Sequence, residues 1–141
     1  MRYLFPVLMI LLMSCASAKD GSKTKVVTSS LQGTEWVISS LPGFTIEETD
    51  RAVNLSFSDS STRFGGYSGC NMYGGDFTVA GQQLKFSKIL GTKRACLSGM
   101  KNEQTIFKVL EQTNNYSINA NKLQLKQDDK VLAEWVRVEK K

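Results

Sequence analysis

From Leu31 onward, short apolar runs alternate with turn residues, and most of the runs repeat every second position. In residues 34–41, Trp36 and Ile38 keep that period, which predicts a strand, and Pro42-Gly43 ends it. In residues 52–58, Val53, Leu55 and Phe57 share one face while Asn54 and Ser56 take the other, the pattern of a half-buried strand. Asp59-Ser60-Ser61 turns the chain into residues 62–69, which carry Phe64 and Tyr67. Gly65-Gly66 there, and Gly74-Gly75 in residues 72–79, interrupt the alternation; they predict bulges, barrel corners or close strand packing. Ala80-Gly81 forms a hairpin turn before residues 83–90, where Leu84 and Phe86 alternate.

The period then changes. Across Met100–Gln112, Glu103, Phe107 and Leu110 recur at helical spacing with Ile106 and Val109 alongside. Ser98 is the expected N-cap, and Asn114-Asn115 the expected stop, through the left-handed conformation asparagine tolerates. Three further strands follow, carrying Tyr116 and Ile118, then Leu123 and Leu125, then residues 131–138. The last is apolar at both parities, which predicts burial on both faces. The sum is a mainly β (α+β) domain of about eight antiparallel strands in a curled, barrel-like meander, with one helix inserted after the fifth.

The N-terminus reads differently. Arg2 precedes an uncharged apolar run, Tyr3 to Met13, broken only by Pro6. The run is about 11 residues, short of the roughly 20 that span a bilayer, and fits the apolar region of a signal peptide. Leu12-Met13-Ser14-Cys15 resembles a bacterial lipobox. On that reading residues 1–14 are removed, Cys15 carries lipid, residues 15–30 are a flexible tether and residues 31–141 form the domain. The competing reading is ordinary cleavage after Ala16-Ser17-Ala18, before Lys19. Residues 16–30 are rich in Ser, Thr, Lys and small side chains, and a coil of that length spans roughly 20 Å. The expected location is therefore the bacterial envelope, lipid-anchored. Ala16 rather than Asp after the cysteine points to the outer membrane, facing the periplasm.

The 141 residues carry a net charge of +5 and no histidine. The basic residues are scattered, without the arginine-rich or basic-aromatic cluster of a nucleic-acid binder. Without histidine, the usual base for a serine or cysteine nucleophile is missing, as is the commonest zinc ligand. No Gly-Lys-Ser/Thr ending turns the glycines into a phosphate loop. Glu47, Glu48 and Asp50 read as a solvated loop. No catalytic residue, metal site or cofactor is expected. Cys70 and Cys96, an even pair in an exported chain, favour a disulfide; closing a loop of about 26 residues would stabilise the domain by roughly 3–4 kcal/mol. Two buried thiols, or a redox pair beside Lys93 and Arg94, remain as alternatives. Trp36 and Trp135 are expected in the core, packed together, with their indole nitrogens bonded.

Five motifs occur in order: Leu31-x-Gly33-Thr34-x-Trp36; Gly69-Cys70-Asn71; Thr92-x-x-Ala95-Cys96; Glu103, Phe107 and Leu110; and Leu123-x-Leu125. Together they resemble the META/HslJ-like domain family over Leu31 to Val138, with Arg94 standing where that family commonly has an apolar residue. The resemblance implies a small β domain with a helix, often on envelope lipoproteins and associated with stress tolerance. It implies no catalytic set, so Gly33, Thr34, Trp36, Gly69, Asn71, Thr92, Ala95, Glu103 and Phe107 carry over as structural positions. The function expected is non-catalytic binding or scaffolding in envelope stress tolerance, toward an unknown envelope protein or small ligand. The alternatives are a secreted protease or hydrolase inhibitor acting through the 42–51 loop, or a carrier of a small apolar ligand.

Overall fold

A computed structural model describes residues 31–139. The expected signal peptide, Cys15 and tether lie outside the described residues. Eight antiparallel strands close into a barrel in chain order, β1 (Glu35–Ser40), β2 (Asn54–Phe57), β3 (Arg63–Tyr67), β4 (Met72–Ala80), β5 (Gln83–Gly91), β6 (Asn115–Asn119), β7 (Lys122–Gln127) and β8 (Lys130–Arg137), with helix α1 (Met100–Gln112) between β5 and β6. Among the described residues no helix is long and apolar enough to cross a membrane.

The period-two residues fill the interior. Trp36, Leu55, Leu123, Leu125 and Trp135 are wholly buried, and Phe57, Phe64, Phe77 and Phe86 pack around them. Phe57 meets Phe77 edge-on at 5.0 Å and Phe64 meets Phe86 at 4.6 Å between ring centroids, geometries that add to simple burial. Tight strand packing explains the glycines. A Cβ on Gly66 would stand 2.0 Å from the Asn54 carbonyl oxygen, so β2 and β3 can approach only with glycine there. The Gly74-Gly75 pair coincides with a register shift between β4 and β5.

The closure is uneven. β7 and β8 pair over six positions, whereas β5 and β6 meet at Gln83↔Asn115 alone. The helix fills the gap: Ile106, Val109 and Leu110 enter the core, and Phe107 packs edge-on to Tyr73 at 6.0 Å.

Three sequence expectations are corrected. β8 buries one face, through Ala133 and Trp135, while Val136 points out; a barrel wall has its second side in water unless the helix covers it. Ser98 does not cap α1. The N-cap is Gly99, at φ 84°, with no side-chain cap, because a Cβ there would lie 2.1 Å from the Gly69 carbonyl oxygen. Nor do Asn114-Asn115 stop the helix in a left-handed turn. Thr113 ends it in an extended conformation, its N–H and hydroxyl both donating to the Val109 carbonyl at 3.0 and 2.7 Å, and the chain passes directly into β6.

The disulfide end of the barrel as candidate functional site

The end of the barrel opposite the β2–β3 turn gathers three irregular segments: the 42–51 loop, the 68–71 turn between β3 and β4, and the 92–99 loop leading into α1. Cys70 and Cys96 are joined by a disulfide, with Cα atoms 5.8 Å apart. Cys70 is wholly buried and Cys96 half-buried. The alternative of two buried free thiols is thereby set aside.

Asn71, 2% exposed, clamps the 92–99 loop. Its Oδ1 accepts from the Arg94 N–H at 2.8 Å and from the Thr92 hydroxyl at 2.9 Å, and its Nδ2 donates to the Arg94 carbonyl at 3.1 Å. Arg94 returns the contact, its Nη2 donating to the Cys70 carbonyl at 2.9 Å. Asn71 is thus more than the local turn residue its position between strands implies; it bridges segments more than twenty residues apart. Glu103, on the first turn of α1, ties the same turn to the helix. Its Oε2 accepts from the Ser68 hydroxyl at 2.7 Å and the Asn71 N–H at 3.1 Å, and Oε1 from Asn71 Nδ2 at 3.3 Å. The carboxylate also faces the positive end of the helix.

A second clamp was not anticipated. Asn102 is wholly buried. Its Oδ1 accepts from the Glu47 N–H at 2.8 Å and its Nδ2 donates to the Glu47 carbonyl at 2.9 Å, closing a two-bond amide pair on the 42–51 loop. Glu47 Oε2 in turn accepts from the Gly99 N–H at 2.8 Å, tying the loop to the N-cap residue. The loop that carries Glu47, Glu48 and Asp50 is therefore pinned to the helix rather than free in solvent. The sequence did carry a signal for Asn102: it stands on the apolar stripe with Ile106, Val109 and Leu110, where a polar side chain needs a buried partner.

The opening motif is explained at the other end. Gly33 takes φ 68°, and the Thr34 hydroxyl donates to the Leu31 carbonyl while accepting from Trp36 Nε1 at 2.7 Å. The guanidinium of Arg137 stacks over the Trp36 ring at 4.7 Å. Trp135 departs from expectation, its Nε1 being buried with no partner among the described residues. It lies opposite Ile38 on β1, diagonal to Trp36.

An open recess of about 370 Å³ beside the disulfide is lined by Asp50, Tyr67, Arg94, Cys96 and Leu97, among others. The Tyr67 hydroxyl lies 2.9 Å from Asp50 Oδ1 and 2.8 Å from the Gly69 carbonyl, donating to one at a time. Burial, and then the Asp50 carboxylate, push its pKa above the ordinary tyrosine value, so it keeps its proton at neutral pH. Exposed apolar side chains surround this end: Met72 and Leu90 on the barrel wall, Leu97 fully exposed on the loop, and Met100 at the helix start. Lys93, Arg94 and Lys101 stand among them, all exposed. Thr92 and Ala95 are also exposed; Phe107, half-buried, packs against Gly91. The arrangement holds surfaces in place.

Two solved structures share the fold. An NMR structure of a protein from Burkholderia xenovorans is 25% identical, covering 80% of this chain and 87% of its own, with a TM-score of 0.65. A second NMR structure is 21% identical, covering 79% of this chain and 94% of its own, with a TM-score of 0.62. No curated protein matches the sequence. The META domain family model matches residues 29–139, which takes in all five motifs and the whole barrel, and the chain belongs to the META domain family.

Proposed function

We propose that the chain is a lipid-anchored, non-catalytic envelope protein that binds a partner through the disulfide end of its barrel and supports the envelope under stress. One observation carries this reading. The polar side chains of the family motifs, Thr34, Asn71, Thr92 and Glu103, are all spent on internal hydrogen bonds. What Asn71, Thr92 and Glu103 hold in place is an exposed loop of apolar and basic residues. The signature thus marks a scaffold, and the surface it braces is free to bind.

The direction of the tether supports the same reading. The Gly33 N–H donates to the Ser58 carbonyl at 3.3 Å, so the chain enters the barrel beside the β2–β3 turn. A lipid on Cys15 would attach at that end through the tether, which leaves the Leu97 end of the barrel the farther from the point of attachment. The side-chain-filled interior leaves the carrier of a small apolar ligand without support.

Site-specific photo-crosslinking in the native envelope tests the proposal. A photoreactive residue replacing Leu97 is expected to capture a defined envelope component, while one replacing the exposed Ser60 of the β2–β3 turn captures none. Equal capture from both positions, or capture from Ser60 alone, would contradict it.

A further inference from the structure

We propose that the Cys70–Cys96 disulfide is a thiol–disulfide exchange site, opened from Cys96 by an anionic dithiol, and that it latches the 92–99 loop. The inference stands apart from the anchor. It rests on an asymmetry between the two sulfurs and on what the bond restrains.

Cys70 is wholly buried beneath the loop. Cys96 is half-buried and lines the open recess, whereas Cys70 does not. The recess therefore offers an incoming thiolate a path to Cys96 and none to Cys70, and which sulfur is attacked governs the exchange. The surroundings favour an anion. Lys93, Arg94 and Lys101, all exposed, stand on the loop and at the helix start beside it, and residues 92–102 hold no Asp or Glu. Lys93 and Arg94 stand three and two residues before Cys96. Asp50, across the recess, is engaged by the Tyr67 hydroxyl, and Glu47 by the Gly99 N–H and, at 3.9 Å, by Lys101.

The step balances as follows. The partner's thiolate attacks Cys96 Sγ; the S–S bond breaks, and its electron pair leaves on Cys70 Sγ, which takes a proton from solvent. The partner's second thiolate then attacks its own sulfur in the mixed disulfide. Cys96 leaves as a thiolate and is protonated. The partner departs as a disulfide, and the domain has gained two electrons and two protons.

The consequence follows from the loop's few attachments. Besides the disulfide, it is held by the Asn71 bonds to Thr92 and Arg94, by Arg94 on Cys70, by the Thr92 N–H donating to the Met72 carbonyl at 3.0 Å, and at its far end by the Gly99 N–H donating to Glu47 Oε2 at 2.8 Å. Residues 95–98 have no other bond to the barrel among those described, so cutting the disulfide frees the segment that displays Leu97. The barrel's own pairing is untouched.

The test uses the oxidised full chain under native conditions, with glutathione as the anionic thiol and 2-mercaptoethanol as the neutral one. Acid quenching, alkylation and peptide mass mapping are expected to place the mixed disulfide on Cys96 and the free thiol on Cys70. Replacing Lys93→Gln and Arg94→Gln together is expected to slow the glutathione reaction several-fold and the mercaptoethanol reaction less. After complete reduction with dithiothreitol, hydrogen exchange is expected to rise in residues 95–98, with strand protection unchanged. A mixed disulfide on Cys70, exchange seen only in urea, or protection lost across all strands would each overturn the proposal.

Discussion

Asn71 is where the polar bonding of the disulfide end converges, and its amide has a chemical requirement on each side. One side must accept, from the Arg94 N–H and the Thr92 hydroxyl; the other must donate, to the Arg94 carbonyl and Glu103. Asn71→Ala would strand several of these groups in a buried place, at a cost of about 2–4 kcal/mol. Asn71→Asp keeps the shape but turns the donating side into an oxygen facing the Glu103 carboxylate and a carbonyl. Urea unfolding of both variants is expected to rank aspartate below alanine, and the reverse order would break this account of the clamp. The sequence pointed to Asn71 by motif and by its place between strands, but not to its partners, because hydrogen bonds across more than twenty residues follow from the folded path alone. Asn102 was legible in principle, as a polar residue on an apolar helix stripe. The unpartnered indole of Trp135 left no trace in the chain.

At the scale of elements, alternation located every strand and the helix, since burial on one face is the force that sets both periods. Where the reading failed, contacts from distant elements had overruled a local preference. Ser98 is a good N-cap by type, yet the close passage of Gly69 forces a left-handed glycine into that position. β8 is apolar at both parities, yet a barrel gives its outer face no cover. The strands are also tied on their outer surface. Asp76 on β4 bonds Lys88 of β5 at 2.8 Å and Arg63 of β3 at 3.3 Å, and Lys88, then Arg63, hold its pKa below the ordinary carboxylate value. A depressed folded-state pKa gives stability that is present above the unfolded value of about 3.9 and lost as pH falls through the folded one. Asp76→Asn is therefore expected to be less stable than the parent at neutral pH, by a small margin since the groups are exposed. The two should converge on acidification below about pH 4. Thermal unfolding across pH checks this; a difference that persists or widens in acid would contradict it.

For the whole molecule, the motifs and the chemistry divide cleanly. The residues that mark the family build a closed β barrel, seal its weak β5–β6 seam with a helix, and brace one end with a disulfide and the Asn71 clamp, to which Asn102 adds a second. The features that differ from plain scaffolding lie on the exposed 92–101 segment. The lack of histidine had already turned the reading from catalysis toward binding. What no pattern in the chain revealed is that the entry to β1 at Gly33–Thr34 and the exposed loop belong to opposite ends of the barrel, because that depends on strand order and direction. The central claim, a binding domain held at the envelope by lipid, is tested most directly by the intact mass of the protein purified from its native envelope. The account predicts a mature chain beginning at Cys15 and carrying acyl mass. A chain beginning at Lys19 with no added mass would contradict it.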